Sequence, residues 1–261
     1  MFCASGNRLK GGGSTARFLS RHGLRLGAAA LAVSALSGCQ SIDVNSSNAA
    51  LVRAFNASVD STGFDYYTGK TGIVYNLGFS YNTTYVPLNP GTQSIITAQA
   101  NSVPPQVLAS VNASLGSQKN YTVITGNVAA NLQETIFADQ NVAAPSGQIA
   151  VRIINEATRI GPVDIYLVQS GGKLSTTSPF VTNLSFNMTS GYIDIPSGTY
   201  AVAILPTGTT PGSGVTLFGG AQVSYPTGVV STVVVIDTPL TTSPGANVEV
   251  LTDFQPPTTT G

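Results

Sequence analysis

Two stretches of this chain, Val52-Arg53-Ala54-Phe55-Asn56 and Val151-Arg152-Ile153-Ile154-Asn155, align without a gap at an offset of 99 residues. The same offset carries Asp65 onto Asp164 and Tyr67 onto Tyr166. That makes five identities in sixteen positions, where unrelated sequences of average composition give about one. Further on the register slips by eight, so that Tyr85, Gly91 and Thr92 match Tyr192, Gly198 and Thr199. Near the end of each copy Tyr121-Thr122-Val123-Ile124 corresponds to Ser231-Thr232-Val233-Val234. A repeat of about a hundred residues has the size of a small domain. Slippage confined to the stretches between apolar runs is what loops tolerate and strands do not.

The apolar runs are short, β-branched and bounded by Gly, Pro and Asn, the signature of strands and turns rather than helices. In the first copy they predict strands at 50–56, 63–67, 72–79, 84–88, 93–99, 106–111, 120–126 and 132–138. In the second they predict 148–155, 163–168, 179–184, 191–195, 199–205, 215–224, 229–236 and 247–253. Seven or eight short strands per hundred residues imply an all-β chain of two tandem Greek-key β-sandwich domains, immunoglobulin-like or transthyretin-like, with small barrels as the alternative. The expected boundaries are a first sandwich at 50–142, a linker at 143–147, a second sandwich at 148–254 and a disordered tail at 255–261. Ala143-Ala144-Pro145-Ser146-Gly147 is small and turn-prone, as a linker between two such units should be.

Val52-Arg53 with Phe55-Asn56-Ala57-Ser58, Phe64-Asp65-Tyr66-Tyr67, Asn76-Leu77-Gly78-Phe79-Ser80, Pro90-Gly91 and Tyr121-Thr122-Val123 together resemble the bacterial family called domain of unknown function 4397. The second copy resembles it more loosely, through Val163-Asp164-Ile165-Tyr166, Ile195-Pro196-Ser197-Gly198 and Thr232-Val233-Val234, with Ser231 in place of the Tyr. The resemblance implies secreted or lipid-anchored sandwiches and supplies no mechanism.

Ahead of the repeats, basic residues up to Arg25 precede an Ala-rich apolar run that ends in Leu36-Ser37-Gly38-Cys39. The run is too short for a comfortable membrane span and fits a signal peptide at 1–38. Its end looks like the lipobox of bacterial lipoproteins, a branched residue and two small ones before Cys. That resemblance implies lipidation and cleavage at Cys39, with 39–49 as a polar tether. Gln40 in place of Asp favours the outer membrane, so the expected localisation is an exported protein held in the cell envelope by palmitate-type chains.

Cutting at Cys39 changes how the composition reads. Five of the eleven Lys and Arg residues precede it and all eleven acidic residues follow it, leaving a net charge of −5. A dispersed negative charge argues against nucleic acid as a partner. The cut also removes His22, the single histidine, and Cys3. The usual Ser-His-Asp, Cys-His and His-metal sites are then out of reach, so neither an enzyme, a metal nor a cofactor is expected.

What remains for chemistry is sparse. Arg53 with Asp65, and Arg152 with Asp164, are expected to pair across adjacent strands as repeated structural salt bridges, with a ligand clamp as the alternative. Tyr66, Tyr67, Tyr75, Tyr81 and Tyr85 crowd into twenty residues and read as cross-strand packing or, alternatively, as an aromatic contact surface for a glycan or peptide. Glu134, Glu156, Glu249, Asp139 and Asp237 leave acid–base chemistry or calcium open. The function this supports is a lipid-anchored, non-catalytic binding, adhesion or scaffold module with an envelope glycan or protein as ligand. A carboxylate-dependent polysaccharide hydrolase and a purely structural spacer are the alternatives.

Overall fold

Strands form nearly everywhere the β-branched runs lie. In the computed structural model the first half of the chain gives β1 (Ala50–Asn56), β2 (Phe64–Thr68), β3 (Thr71–Leu77), β4 (Val86–Leu88), β5 (Gly91–Gln99), β6 (Val107–Leu115), β7 (Asn120–Gly126) and β8 (Gln133–Asp139). The second half gives β9 (Gln148–Asn155), β10 (Val163–Gln169), β11 (Val181–Leu184), β12 (Met188–Pro196), β13 (Gly198–Pro206), β14 (Phe218–Gly219), β15 (Val223–Tyr225), β16 (Val230–Asp237) and β17 (Ala246–Phe254). The structure describes residues 47–239 and 243–257, all within one compact unit, Gln40–Gly261. The signal peptide, the lipobox residues Leu36, Ser37 and Gly38, and the lipidation site Cys39 lie outside the described residues.

One expected strand, 215–224, is instead two. Phe218–Gly219 pairs with Ala203 and Ile204, while Val223–Tyr225 pairs with Gly198 to Tyr200 on the same β13. The break falls at Gly220, where a side chain would crowd the Phe218 ring.

Each half is a β-sandwich with the same strand order. The β4-β1-β7-β8 sheet faces β3-β2-β5-β6, and β12-β9-β16-β17 faces β11-β10-β13-β14, with β15 also on β13. In both halves the first strand runs parallel to the penultimate one, β1 with β7 and β9 with β16. Parallel neighbours need a long crossover, and the whole second sheet of each sandwich supplies it.

The central strands of the β1-containing and β9-containing sheets, β1, β7, β9 and β16, are buried on both faces because these sheets pack against each other, so the halves stand back to back. Such strands should read as nearly continuous apolar runs. β9, with Gln-Ile-Ala-Val-Arg-Ile-Ile-Asn, and β16, with Val-Ser-Thr-Val-Val-Val-Ile-Asp, are buried almost throughout, whereas β6 on an outer sheet alternates. Period-two alternation sends neighbours to opposite faces. Val52 and Ala54 join Phe64, Tyr66, Ile95 and Val123 in the first sandwich core. Ile153 and Val233 join Ile165 and Ile204 in the second. Phe55, Ile124, Ile154, Val234, Ile236 and Leu251 turn the other way and form a third core in the seam between the halves. Fully burying each such side chain contributes about 1.5–3 kcal/mol, so the seam is held as a domain interior is.

The strand registers fix which loops share an end. β1, β7 and β9 start, and β8 and β17 finish, at the end that holds Asn48, whose Oδ1 accepts from Ser117 Oγ at 3.0 Å. The linker belongs there too: Ala144 is buried and its N–H donates to Gly228 O at 3.1 Å. The loops 57–63, 100–106 and 127–132 of the first half, and 156–162 and 185–187 of the second, gather at the opposite end.

Candidate functional site

Polar side chains on the two facing sheets meet inside the seam. Arg53 on β1 donates through Nε to Thr122 Oγ1 on β7 at 2.8 Å and through Nη1 to Thr252 O on β17 at 2.9 Å. Its Nη2 pairs with Asp253 Oδ1 on β17. Arg152 on β9 does the same in reverse. Its Nε donates to Thr232 Oγ1 at 3.0 Å, Nη1 to Ala138 O at 2.9 Å, and Nη2 to Asp139 Oδ1 on β8 at 2.5 Å. Each half therefore lends its arginine to the last strand of the other.

The carboxylates are held equally well from their own side. Asp139 Oδ2 accepts from Thr122 Oγ1 at 2.7 Å and from Tyr85 OH at 2.8 Å. Asp253 Oδ2 accepts from Thr232 Oγ1 at 2.7 Å and from Tyr192 OH at 2.8 Å. The guanidinium of Arg53 lies 4.9 Å from the centre of the Tyr85 ring, and that of Arg152 lies 4.6 Å from Tyr192. Cation–π contacts of this kind strengthen when water is excluded. Burial, joined by the neighbouring carboxylates, raises both phenols far above their ordinary range. Burial raises the Asp253 carboxyl as well, against the pull of Arg53. Arg53, Arg152, Asp139 and Asp253 are all nearly sealed from solvent.

This overturns the expected pairing of Arg53 with Asp65 and of Arg152 with Asp164. β1 and β2 are not neighbours in one sheet; β2 belongs to the opposite sheet of the sandwich, and β9 and β10 are divided in the same way. Asp65 and Asp164 are turn-holding residues. Asp65 Oδ1 accepts from the backbone N–H of Asn76 at 2.7 Å and Oδ2 from that of Asn101 at 3.1 Å. Asp164 accepts from the N–H groups of Asn183 at 2.8 Å and Gly208 at 3.0 Å. Asn76 and Asn183 have φ of 53° and 52°, a left-handed conformation that Asn tolerates better than most residues. Asn56 and Asn155, the last residues of β1 and β9, repeat a second motif. Their side-chain amides donate to Leu77 O and Leu184 O across the sandwich.

The five crowded tyrosines separate. Tyr66 is wholly buried in the first core, edge-on to Phe64, and so is no part of a contact surface. Tyr85 is half-buried, its hydroxyl committed to Asp139 in the seam while the residue lines a surface groove. Tyr67 is half-buried, and its ring lies edge-on to Tyr75 at 5.8 Å. Tyr75 and Tyr81 are 64% and 70% exposed. They flank a groove of about 390 Å³ with Asn76, Gly78 and Asn82. Asn82 also lines a second groove of about 370 Å³, with Thr83, Thr84 and Tyr85 of the first half and Val250 and Thr252 of the second.

The glutamates stay apart. Glu134 points into the first sandwich beside Thr97, and neither of its carboxylate oxygens is hydrogen-bonded among the described residues. Glu156 lies at the far end of the seam over Gly126, its Oε1 likewise without a partner. Burial pushes each carboxyl up to about 8. Glu249 accepts from Ser80 Oγ at 2.7 Å, tying the 78–81 turn to β17. Asp237 holds the 158–159 turn, accepting from Thr158 N at 2.9 Å. Among the described residues no three His, Cys, Asp or Glu side chains converge as a metal centre requires.

No curated protein matches the chain. Among solved structures, the carbohydrate-binding module CBMbc (family CBM26) of Eubacterium rectale Amy13K, determined in complex with maltoheptaose, is similar at 12% identity. That likeness covers 78% of this chain and 96% of that chain, with a TM-score of 0.24. Residues 50–166, the whole first sandwich and the first strands of the second, match the family described as "Domain of unknown function (DUF4397)".

Proposed function

We propose that this protein is a non-catalytic binding module of the bacterial cell envelope, built from two copies of one sandwich domain that act as a single rigid body and tethered by lipid on Cys39. The observation that carries the reading is the crossed arginine network. Two copies joined by the eight residues between β8 and β9 would ordinarily move independently. Here each copy completes the other's buried ion pair, and a side chain left alone in that seam would be an uncompensated buried charge.

The layout suits a tethered receptor. Asn48 emerges at one end of the strands and loops of both halves gather at the other, the arrangement in which sandwich loops reach a partner. The hydrolase alternative has little to work with. Asp139 and Asp253 converge, but both carboxylates are buried against arginines and hydroxyls, whereas a glycosidase pair must face its substrate across a cleft.

Expression of the full chain and of Cys39→Ala in a bacterial host tests both parts. Wild type is expected to take up labelled palmitate and sediment with membranes, and Cys39→Ala to do neither. The wild-type chain, purified in detergent, is expected to bind isolated envelope fragments saturably. Equal sedimentation of the two proteins contradicts the anchor, and absence of saturable binding contradicts the module and leaves a spacer.

A further inference from the structure

Tyr75 and Tyr81 are largely exposed on backbone that is already fixed. The Tyr75 ring abuts Tyr67, whose hydroxyl donates to Asp65 Oδ2 at 3.3 Å. The Tyr75 phenol lies over Gly72, where any Cβ would collide with it. Tyr81 belongs to a turn pinned on two sides. Asn56 N donates to Tyr81 O at 3.1 Å, and Ser80 is bonded to Glu249 of the second half at 2.7 Å. Ser80 itself has φ of 68°, a cost that backbone accepts when its surroundings dictate the turn. A ring packed as Tyr75 is, and a backbone fixed as that of Tyr81 is, leave less freedom to lose on binding.

The lining between and beyond the rings mixes polar groups with the apolar side chains of Leu77, Val250 and Leu251 and carries no free charge. Asn76 and Asn82 offer amides, Thr83 and Thr84 hydroxyls, and Tyr85 a phenol edge. The cation at the floor, Arg53, is 3% exposed, and its Nε, Nη1 and Nη2 already donate to Thr122, Thr252 and Asp253. An anionic ligand would find no counter-charge there, and a lipid chain no enclosed apolar cavity. An extended peptide would seek the edge of β17, but Thr252 O is occupied by Arg53. Pyranose rings fit: their C–H faces lie on aromatic faces, and their hydroxyls answer amides and hydroxyls.

We infer that the groove from Tyr75 and Tyr81 across Asn82 to Thr252 is a subsite for an uncharged polysaccharide, with the two tyrosines as stacking platforms. The inference rests on the reading of the protein as a binding module and names that module's ligand class and site. Because the groove ends on β17, both halves contribute to it, which gives the rigid seam a purpose in binding.

The full chain, purified in detergent, is to be titrated with neutral hexasaccharides of the β-1,4-glucan, α-1,4-glucan, chitin and xylan series, with polygalacturonate as the anionic control. Saturable binding to at least one neutral hexasaccharide is expected, weakened about tenfold by Tyr81→Ala or Tyr75→Ala. Tyr81→Phe, which keeps the ring, is expected to retain binding within about threefold, so loss in the alanine variant reports the platform rather than the fold. Binding that ignores both alanine substitutions, or binding to polygalacturonate alone, overturns the inference. So does silence towards every neutral sugar. If envelope fragments still bind in that last case, the module reading survives; if they do not, both fall together.

Discussion

Replacing Arg152 with Met is expected to destabilise the whole protein by about 3–5 kcal/mol, because it strips one partner from a buried ion pair and leaves the other behind. Asp139 would keep Thr122 and Tyr85 but lose the cation hydrogen-bonded to it, and keep only the longer ion pair with Arg53 at 3.8 Å among the described residues. The Ala138 carbonyl and the Tyr192 ring would also lose their contacts. Adding Asp139→Leu to Arg152→Met should recover much of the loss, since replacing both members of a buried pair with apolar groups is often close to neutral. Urea unfolding of the three proteins measures this. A single variant within about 1 kcal/mol of wild type would mean that the arginine is solvated in solution, as exposed pairs are.

The second large effect is expected in the pH dependence of stability. The Glu156 carboxyl has an ordinary value of 4.5 and burial lifts it to about 8 in the folded protein. Between those values the folded state keeps a proton that the unfolded state has released. Its contribution is therefore complete below about pH 4.5, declines as pH rises, and is lost as pH passes through about 8. Glu134 acts in the same direction, its rise opposed in part by Thr97. Glu156→Gln, which keeps the shape and removes the titration, should flatten the decline. It should exceed wild type at pH 9 by on the order of 3 kcal/mol while differing little at pH 5. Parallel pH curves for the two proteins would show that water reaches the carboxylate and that this end of the seam is open.

The sequence carried most of the strand framework because β-branched runs and turn residues agree locally with the final fold. β9 occupies its expected residues without a shift, and β1 and β7 do likewise. The repeat also brought forward Arg53 with Arg152, Tyr85 with Tyr192 and Thr122 with Thr232, all of which prove to be members of the network. What it did not supply was the acid that completes each pair. Asp65 and Asp164 share the arginines' offset, and adjacency along the chain invited pairing along the chain. Register offers the opposite lesson: residue alternation in β1 turns Arg53 towards the seam, while β2 lies in the sheet behind it. Asp139 and Asp253 are 114 residues apart, after another slip in the loops, so a fixed offset does not connect them. A partner supplied by the other copy leaves no periodic signal in either. The same limit hid the grooves, since five tyrosines close in sequence are divided by strand alternation among core, seam and surface.

That the arginines cross from one half to the other is open to a direct test by paired double-mutant cycles on Arg53, one with Asp253 and one with Asp65. Arg53→Met combined with Asp253→Leu is expected to depart from additivity by about 2–3 kcal/mol, as residues in direct contact do. Arg53→Met combined with Asp65→Ala is expected to be additive within about 0.5 kcal/mol. Strong coupling to Asp65 with none to Asp253 would place the ion pair inside one half and contradict the crossed seam.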